Sequence, residues 1–343
     1  MSPLPALGEP IVGAPLAGGP STVALAAAVS EAGGLGFLAA GYRTPEAVAE
    51  DVAALRARTA RPFGVNVFAP PGPPADAAAV AAYAATIEGG PLGEPRHDDD
   101  GYAAKLDVLE REAVPVVSFT FGCPQAATVG RLRRVGSSVW VTVTTPAEAL
   151  MALAAGADAL VVQGVEAGGH RGTFDDDGRG DLGLLALLQL VRARAGDTPL
   201  IASGGIATGQ AVAAVLAAGA SAAQIGTAFL RCPEAGTVPA HRAALADRDA
   251  PTALTRAFTG REARGIENPF MRAHPDAPRA YPDVHHVTAP LRKAARERGD
   301  GDTINLWAGQ AFALSEDGVP AGELVARLGR EARAALAAAA AAW

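Results

Sequence analysis

Apolar residues in this chain come in short, dense runs that alternate with alanine-rich segments of helical character. Eight runs stand out, over residues 11–16, 35–39, 63–68, 114–119, 139–144, 159–163, 200–203 and 223–229. Each is rich in Val, Ile, Leu or Phe and is apolar at both odd and even positions. That is the pattern of a strand covered on both faces. The segments between them carry helix starts. In Thr145-Pro146-Ala147-Glu148 a threonine stands at the N-cap, proline at the first helical position, and glutamate where it closes a capping box. Thr44-Pro45-Glu46 repeats the Thr-Pro start, and Cys123-Pro124 is placed to open another helix. Eight strand-then-helix units predict an α/β fold with a parallel sheet, and eight is the number that closes a (β/α)8 TIM barrel.

Two connections are stretched. Residues 69–100 are rich in Pro and Gly and end in His97-Asp98-Asp99-Asp100, which reads as an exposed insertion with solvated charges. Residues 164–180 form a long loop holding His170 and Asp175-Asp176-Asp177. These aspartates lack calcium-loop spacing and are also expected to be solvated. From about Pro233 no further strand-helix unit is evident, and helical or loop segments run to the alanine-rich end. The expected organisation is a barrel over 1–232, with the insertion at 69–100, and a smaller, mainly helical domain over 233–343.

Composition narrows the chemistry. The chain has 343 residues, 49% apolar and 19% charged, which is ample for a real core. Its two cysteines, Cys123 and Cys232, make no disulfide framework, and no Cys-x-x-Cys pair suggests a metal. A formal charge of −7 argues against a nucleic-acid surface. Lys105 and Lys293 are the only lysines, so there is no phosphate-loop Gly-Lys-[Ser/Thr] and little choice of Schiff-base residue. Residues 1–10 show neither a basic nor an apolar leader region, and the apolar runs are too short to span a membrane. The expectation is a cytoplasmic protein, monomer or homodimer, with a small-molecule partner and no metal, membrane or nucleic acid.

Polar and glycine residues cluster where the predicted strands end. Ala17-Gly18-Gly19 follows the first run, Asn66 sits in the third, and Gln163-Gly164 follows the sixth, with Gly168-Gly169-His170 in the same loop. Ser203-Gly204-Gly205 and Gly226-Thr227 mark the last two. In a barrel all these ends meet on the one face where active sites are built. Gly204, Gly205 and Gly226 leave backbone N–H groups open to an anion, with Ser203 and Thr227 adding hydroxyls, in the manner of a barrel phosphate site. Asn66 and Gln163 place amides in apolar strands and need partners there; a flat heteroaromatic ring or neighbouring backbone would serve. His170 has the ordinary pKa for base, acid or anion-anchor work near neutrality. His285-His286 has no metal partner at helical spacing and reads as structural. Gly34-x-Gly36-x-x-Ala39 opens a strand rather than a helix, so it fails as a dinucleotide fingerprint.

These residues resemble the nitronate monooxygenases, formerly 2-nitropropane dioxygenases. The resemblance runs through Gly13-Ala14-Pro15-Leu16-Ala17-Gly18-Gly19, Val65-Asn66 and Ser118-Phe119-Thr120-Phe121-Gly122. It is most specific in Gln163-Gly164-x-Glu166-Ala167-Gly168-Gly169-His170-Arg171-Gly172. Ala202-Ser203-Gly204-Gly205-Ile206 and Gln224-Ile225-Gly226-Thr227-Ala228-Phe229 extend it, as do Gly260-Arg261-x-Ala263-Arg264-Gly265 and Trp307-Ala308-Gly309-Gln310. Leu16 departs from the family, which often carries Met there. The resemblance implies an FMN-bound barrel with His170 as its catalytic residue. Cofactor contacts would come from Ala14, Pro15, Leu16, Asn66, Gln163, Gly168, Ser203, Gly204, Gly205, Gln224, Ile225, Gly226, Thr227 and Gln310. The 233–343 segment would close over the flavin, its 305–343 end returning to the barrel. The implied activity is oxidation of an alkyl nitronate, such as propionate 3-nitronate, or of a nitroalkane by O2, giving a carbonyl compound and nitrite. An FMN-dependent NAD(P)H reductase acting on quinones or an enoyl thioester is the alternative enzyme, and a non-catalytic flavin-binding barrel the alternative without turnover.

Overall fold

The structure, a computed structural model, describes residues 4–178 and 181–342. Positions 179–180 of the long loop and Trp343 therefore lie outside the described residues. The strands are β1 (Ile11–Gly13), β2 (Gly36–Ala39), β3 (Phe63–Phe68), β4 (Val116–Thr120), β5 (Ser138–Val143), β6 (Ala159–Gln163), β7 (Gly169–His170), β8 (Leu200–Ser203), β9 (Ala222–Ile225), β10 (Thr252–Thr255) and β11 (Ala263–Ile266). Eight of them form one parallel sheet in the order β1-β9-β8-β6-β5-β4-β3-β2. A parallel bridge between Val12 and Leu35 brings the two edges together, so the sheet closes into a (β/α)8 TIM barrel.

Side-chain alternation sorts the barrel into layers. Outward residues such as Val65, Val117, Val139 and Leu160 pack under the surrounding helices. Inward residues near the strand starts are apolar: Val12, Phe37, Val116, Trp140, Val161 and Ile201 form one buried cluster. Towards the strand ends the inward positions turn polar, with Asn66, Ser118, Thr142, Gln163, Ser203 and Gln224 lining a cavity. A period of two thus gives each strand a dry lower half and a wet upper end.

The helix starts form as their caps dictate. Thr145 and Glu148 make the reciprocal capping box of the helix Pro146–Ala154, and Thr44 caps Pro45–Arg56. The helix after Cys123-Pro124 begins at Ala126, with Gln125 as its N-cap. Strand β1 stops at Gly13, short of residue 16, because Pro15 has no N–H and the Leu16 N–H donates to Ser21 Oγ at 2.7 Å. Strand β9 stops at Ile225, and Thr227–Phe229 is a 3-10 turn.

Three further expectations are corrected, and two short strands beyond residue 233 are added. Residues 69–100 are not merely an exposed insertion: the helix Ala77–Ala84 buries Val80 and Tyr83 against Phe258, Met271 and Val287. Its acidic end is paired, Asp98 with His286 at 3.3 Å and Asp100 with fully buried Lys105 at 2.6 Å. Asp176 is buried too, bound to Arg256 at 3.1 Å, and Asp175 pairs with Arg279. Beyond residue 233, β10 and β11 pair antiparallel, and β11 adds β7 through Ala263 and His170. The His170 loop is therefore stitched into a small sheet. The final helix Ala321–Ala341 contributes Leu324, Val325 and Leu328 to the core that also holds Val212 and Val215 of the barrel helix Gly209–Ala217.

Candidate active site

A cavity of about 490 Å³ opens at the strand ends. Its rim over β8 and β9 is backbone. Gly204 and Gly205 hold φ of +115° and +68°, a region an L side chain occupies only under strain. A Cβ on Gly204 would also stand 3.1 Å from the Ala167 nitrogen. Among the described residues, no hydrogen bond engages the N–H groups of Gly204, Gly205, Gly226 or Thr227. Free N–H groups converging on one space make an anion cradle. The Thr227 hydroxyl accepts from Gly309 N at 3.0 Å, which leaves its own proton to donate.

The polar ring beneath is largely self-satisfied. Asn66 Nδ2 donates to Ser118 Oγ (2.9 Å) and Thr120 Oγ1 (3.0 Å). Gln163 Nε2 donates to the His170 carbonyl at 3.1 Å, while its Oε1 accepts from Gly172 N at 2.8 Å and Arg171 Nη1 at 3.2 Å. Both ends of that amide bond protein, so Gln163 fixes the loop that carries His170. Gln224 Nε2 reaches Ser203 Oγ at 3.4 Å.

The opposite character belongs to the wall built by side chains. His170 Nε2 lies 2.9 Å from Thr259 Oγ1, and no described residue pairs with its Nδ1. Phe121 and Trp307 flank the imidazole at 5.5 Å and Tyr281 at 6.0 Å. Burial among these rings, with the charges of Arg261 and Arg292, pushes its pKa down to about 3. The ring is therefore uncharged near neutrality. Beside it, Tyr42 stacks flat on His285 at 4.2 Å, and its hydroxyl lies 3.4 Å from that of Tyr281. Tyr42 and Phe121 take φ of +63° and +75°, each costing about 1–3 kcal/mol for a bulky residue. Arg261 sits 4.1 Å over the Phe121 ring, holding that strained turn in place.

Of the residues singled out from the sequence, Ala14, Pro15, Leu16, Asn66, Gln163, Gly168, His170, Ser203, Gly204, Gly205, Gln224, Gly226 and Thr227 all line this cavity. Ile225 and Gln310 do not: Ile225 alternates outward into the helix-facing core, and Gln310 is exposed with its N–H on the Glu166 carbonyl. His285 is corrected from a structural to a cavity-lining residue. Sequence reasoning also missed Tyr42, Thr259, His241, Arg292, Arg296 and Asn305, which line the same space. The one local signal was an aromatic, Tyr42, after a strand-end glycine.

A closed parallel barrel with a strand-end cavity, a rim of unengaged glycine N–H groups and an uncharged buried histidine define a small-molecule site of enzyme character. The nitronate monooxygenase family model matches residues 4–331. A nitronate monooxygenase of Pseudomonas aeruginosa is 43% identical, with 95% of this chain and 96% of that protein aligned. One from Paraburkholderia phytofirmans is 41% identical over 96% of this chain and 93% of its own length. Among solved structures, nitroalkane oxidase from Streptomyces ansochromogenes superposes with a TM-score of 0.93 at 52% identity, covering 97% of this chain and 98% of that one. FabK from Thermotoga maritima shares the fold at a TM-score of 0.77 and 26% identity, over 98% and 96% of the two chains. This chain belongs to the nitronate monooxygenase family, enzymes of nitronate oxidation. No helix of the described residues is long and apolar enough to cross a membrane.

Proposed function

We propose that the cavity binds FMN and oxidises alkyl nitronates, propionate 3-nitronate among them, with O2 to a carbonyl compound and nitrite. The observation that carries this reading is the pairing, in one cavity, of the unengaged N–H cradle with an uncharged imidazole. FMN supplies the electron-accepting ring; the protein supplies position and electrostatics. The residues present fit it. Gly204, Gly205, Gly226 and Thr227 would take its phosphate, Ala14 to Leu16 and Gly168 would border it, and Asn66 and Gln224 would meet its polar edge. Beyond residue 233, His241, Arg292 and Trp307 also line the cavity.

His170 works uncharged. With Nε2 held by Thr259, Nδ1 is the nitrogen that would accept the α-proton of a neutral nitroalkane. An anionic nitronate beside the ring raises its proton affinity, so the same group steadies the anion once formed. Phe121, Trp307 and Tyr281 keep the imidazole in a dry, fixed orientation. The test is oxygen uptake and nitrite release by the flavin-loaded protein given propionate 3-nitronate. Release of nitrite with loss of oxygen supports the reading; neither, with flavin fully bound, overturns it.

A further inference from the structure

The helix Asp283–Arg298 gives the cavity more positive charge than the protein neutralises. Arg292, Lys293 and Arg296 all line it. Arg292 is 5% exposed. It donates to Thr288 Oγ1 (3.0 Å), the His285 carbonyl (3.0 Å) and Asn305 Oδ1 (3.3 Å), and lies 3.2 Å from His285 Nδ1. Arg296 donates to that same Asn305 Oδ1 at 2.9 Å. Two guanidinium groups therefore share one amide oxygen, and every partner is neutral.

Other buried cations of this chain are treated differently. Lys105 pairs with Asp100 at 2.6 Å. Arg171 feels Glu262, Glu148 and Glu166, Arg261 feels Asp176 and Glu148, and Arg264 feels Glu166 and Glu262. Among the described residues no carboxylate bears on Arg292 or Arg296; beyond its neutral hydrogen-bond acceptors, Arg292 has only the phenols of Tyr42 and Tyr281 to favour its charge. Burying like charges side by side is costly, and the cost falls when an anion arrives. This wall is also separate from the glycine rim, which is backbone after β8 and β9, whereas the arginines belong to a helix outside the barrel.

We propose that Arg292 and Arg296, bridged by Asn305, form a second oxyanion subsite and select nitronates that carry a carboxylate remote from the nitronate carbon. This rests on the nitronate reading above. Guanidinium groups suit a carboxylate, and Arg296, with one bond to Asn305, keeps donors to offer while Arg292 adds its charge; the wall and the glycine rim belong to different elements of the one cavity lining, so substrate and cofactor would each have an anion site.

The test compares flavin-loaded wild type with Arg296→Met on propionate 3-nitronate and on propyl-1-nitronate, which lacks the carboxylate; Arg292 is left intact because its charge also bears on His170. Arg296 is half-buried, so its variant should fold; a melting curve and flavin content check this. The expected result is a KM for propionate 3-nitronate raised about 10- to 100-fold, the range for a lost charged hydrogen bond, with kcat and the propyl-1-nitronate KM changed less than about threefold. Perturbation of the flavin absorbance by propionate, which cannot be oxidised here, should weaken by the same factor. Equal losses on both nitronates, or flavin lost from the variant, would overturn the subsite. So would a wild-type flavin bleached by NADPH but not NADH with that preference abolished in the variant, since the wall would then read a nucleotide phosphate. Wild type releasing nitrite from neither nitronate would instead sink the nitronate reading itself.

Discussion

The two sides of the cavity are made in different ways. The rim over β8 and β9 is built from glycine backbone whose N–H groups are free, and it recognises charge without any side chain. The wall of Tyr42, His170, His285 and the helix Asp283–Arg298 is built from side chains that meet only when distant segments dock. The rim is rigid and general, a device that tolerates no added atom. The wall is assembled piece by piece and can be altered one group at a time. On the function proposed above, cofactor binding would belong to the first and substrate choice to the second.

Adding a side chain should break the rim most severely. Gly204→Val places a β-branched residue at φ +115° with its Cβ 3.1 Å from the Ala167 nitrogen. The protein should purify without flavin, with affinity for added FMN weakened more than about 100-fold, against a strain of about 1–3 kcal/mol plus lost contacts. Fluorescence titration with FMN reads this; a yellow, tightly loaded variant would show that the rim is not the cradle.

His170→Asn removes the wall's one reactive group while keeping its size class. The expected loss in kcat/KM on a neutral nitroalkane is about 10²- to 10⁴-fold, with a smaller loss on the preformed nitronate. Equal losses would rule out proton abstraction and leave only anion positioning.

The wall also holds histidines whose charge burial forbids. His170, His241 and His285 are pushed to about 3, 4 and 2, chiefly by desolvation, against about 6.5 in the unfolded chain. Below pH 6.5 the unfolded chain thus binds more protons than the folded one. Stability is complete above that pH and falls as pH drops towards 4, by up to about 1.4 kcal/mol per pH unit for each histidine. Melting temperatures from pH 7.5 to 4.5 should show the fall, and His241→Gln should flatten it by about a third. A profile unchanged by that substitution would mean His241 is free to ionise where it sits.

Tyr42→Phe is the mildest cut. It keeps the stack on His285 and loses only the hydroxyl contact to Tyr281 at 3.4 Å. A change in kcat/KM of less than about fivefold is expected for one long neutral hydrogen bond; a loss comparable to that of His170→Asn would make Tyr42 a proton donor instead.

The same contrast explains what the sequence made legible. Gly204, Gly205 and Gly226 announce themselves because a local backbone requirement leaves a local mark, and the strand-end position of Asn66 and Gln163 follows from alternation alone. The capping box at Thr145 and Glu148 is legible for the same reason, since both halves lie within one turn. His285 misled because helical spacing tests only for partners on its own helix, whereas the ring it stacks on, Tyr42, comes from the segment after β2. The buried Asp176 and Lys105 misled likewise: a charge looks solvated until the opposite charge arrives from elsewhere in the chain. Strands β10 and β11 are four residues each and stand only by pairing with one another and with the His170 segment, so their run pattern alone is too short to announce them.

The central claim is that this cavity takes electrons from a nitronate. Its most direct test is to mix the flavin-loaded protein, under anaerobic conditions, with propionate 3-nitronate and separately with NADH while following the flavin absorbance. Rapid reduction by the nitronate and none by NADH is the expected result. Bleaching by NADH with no response to the nitronate would contradict it.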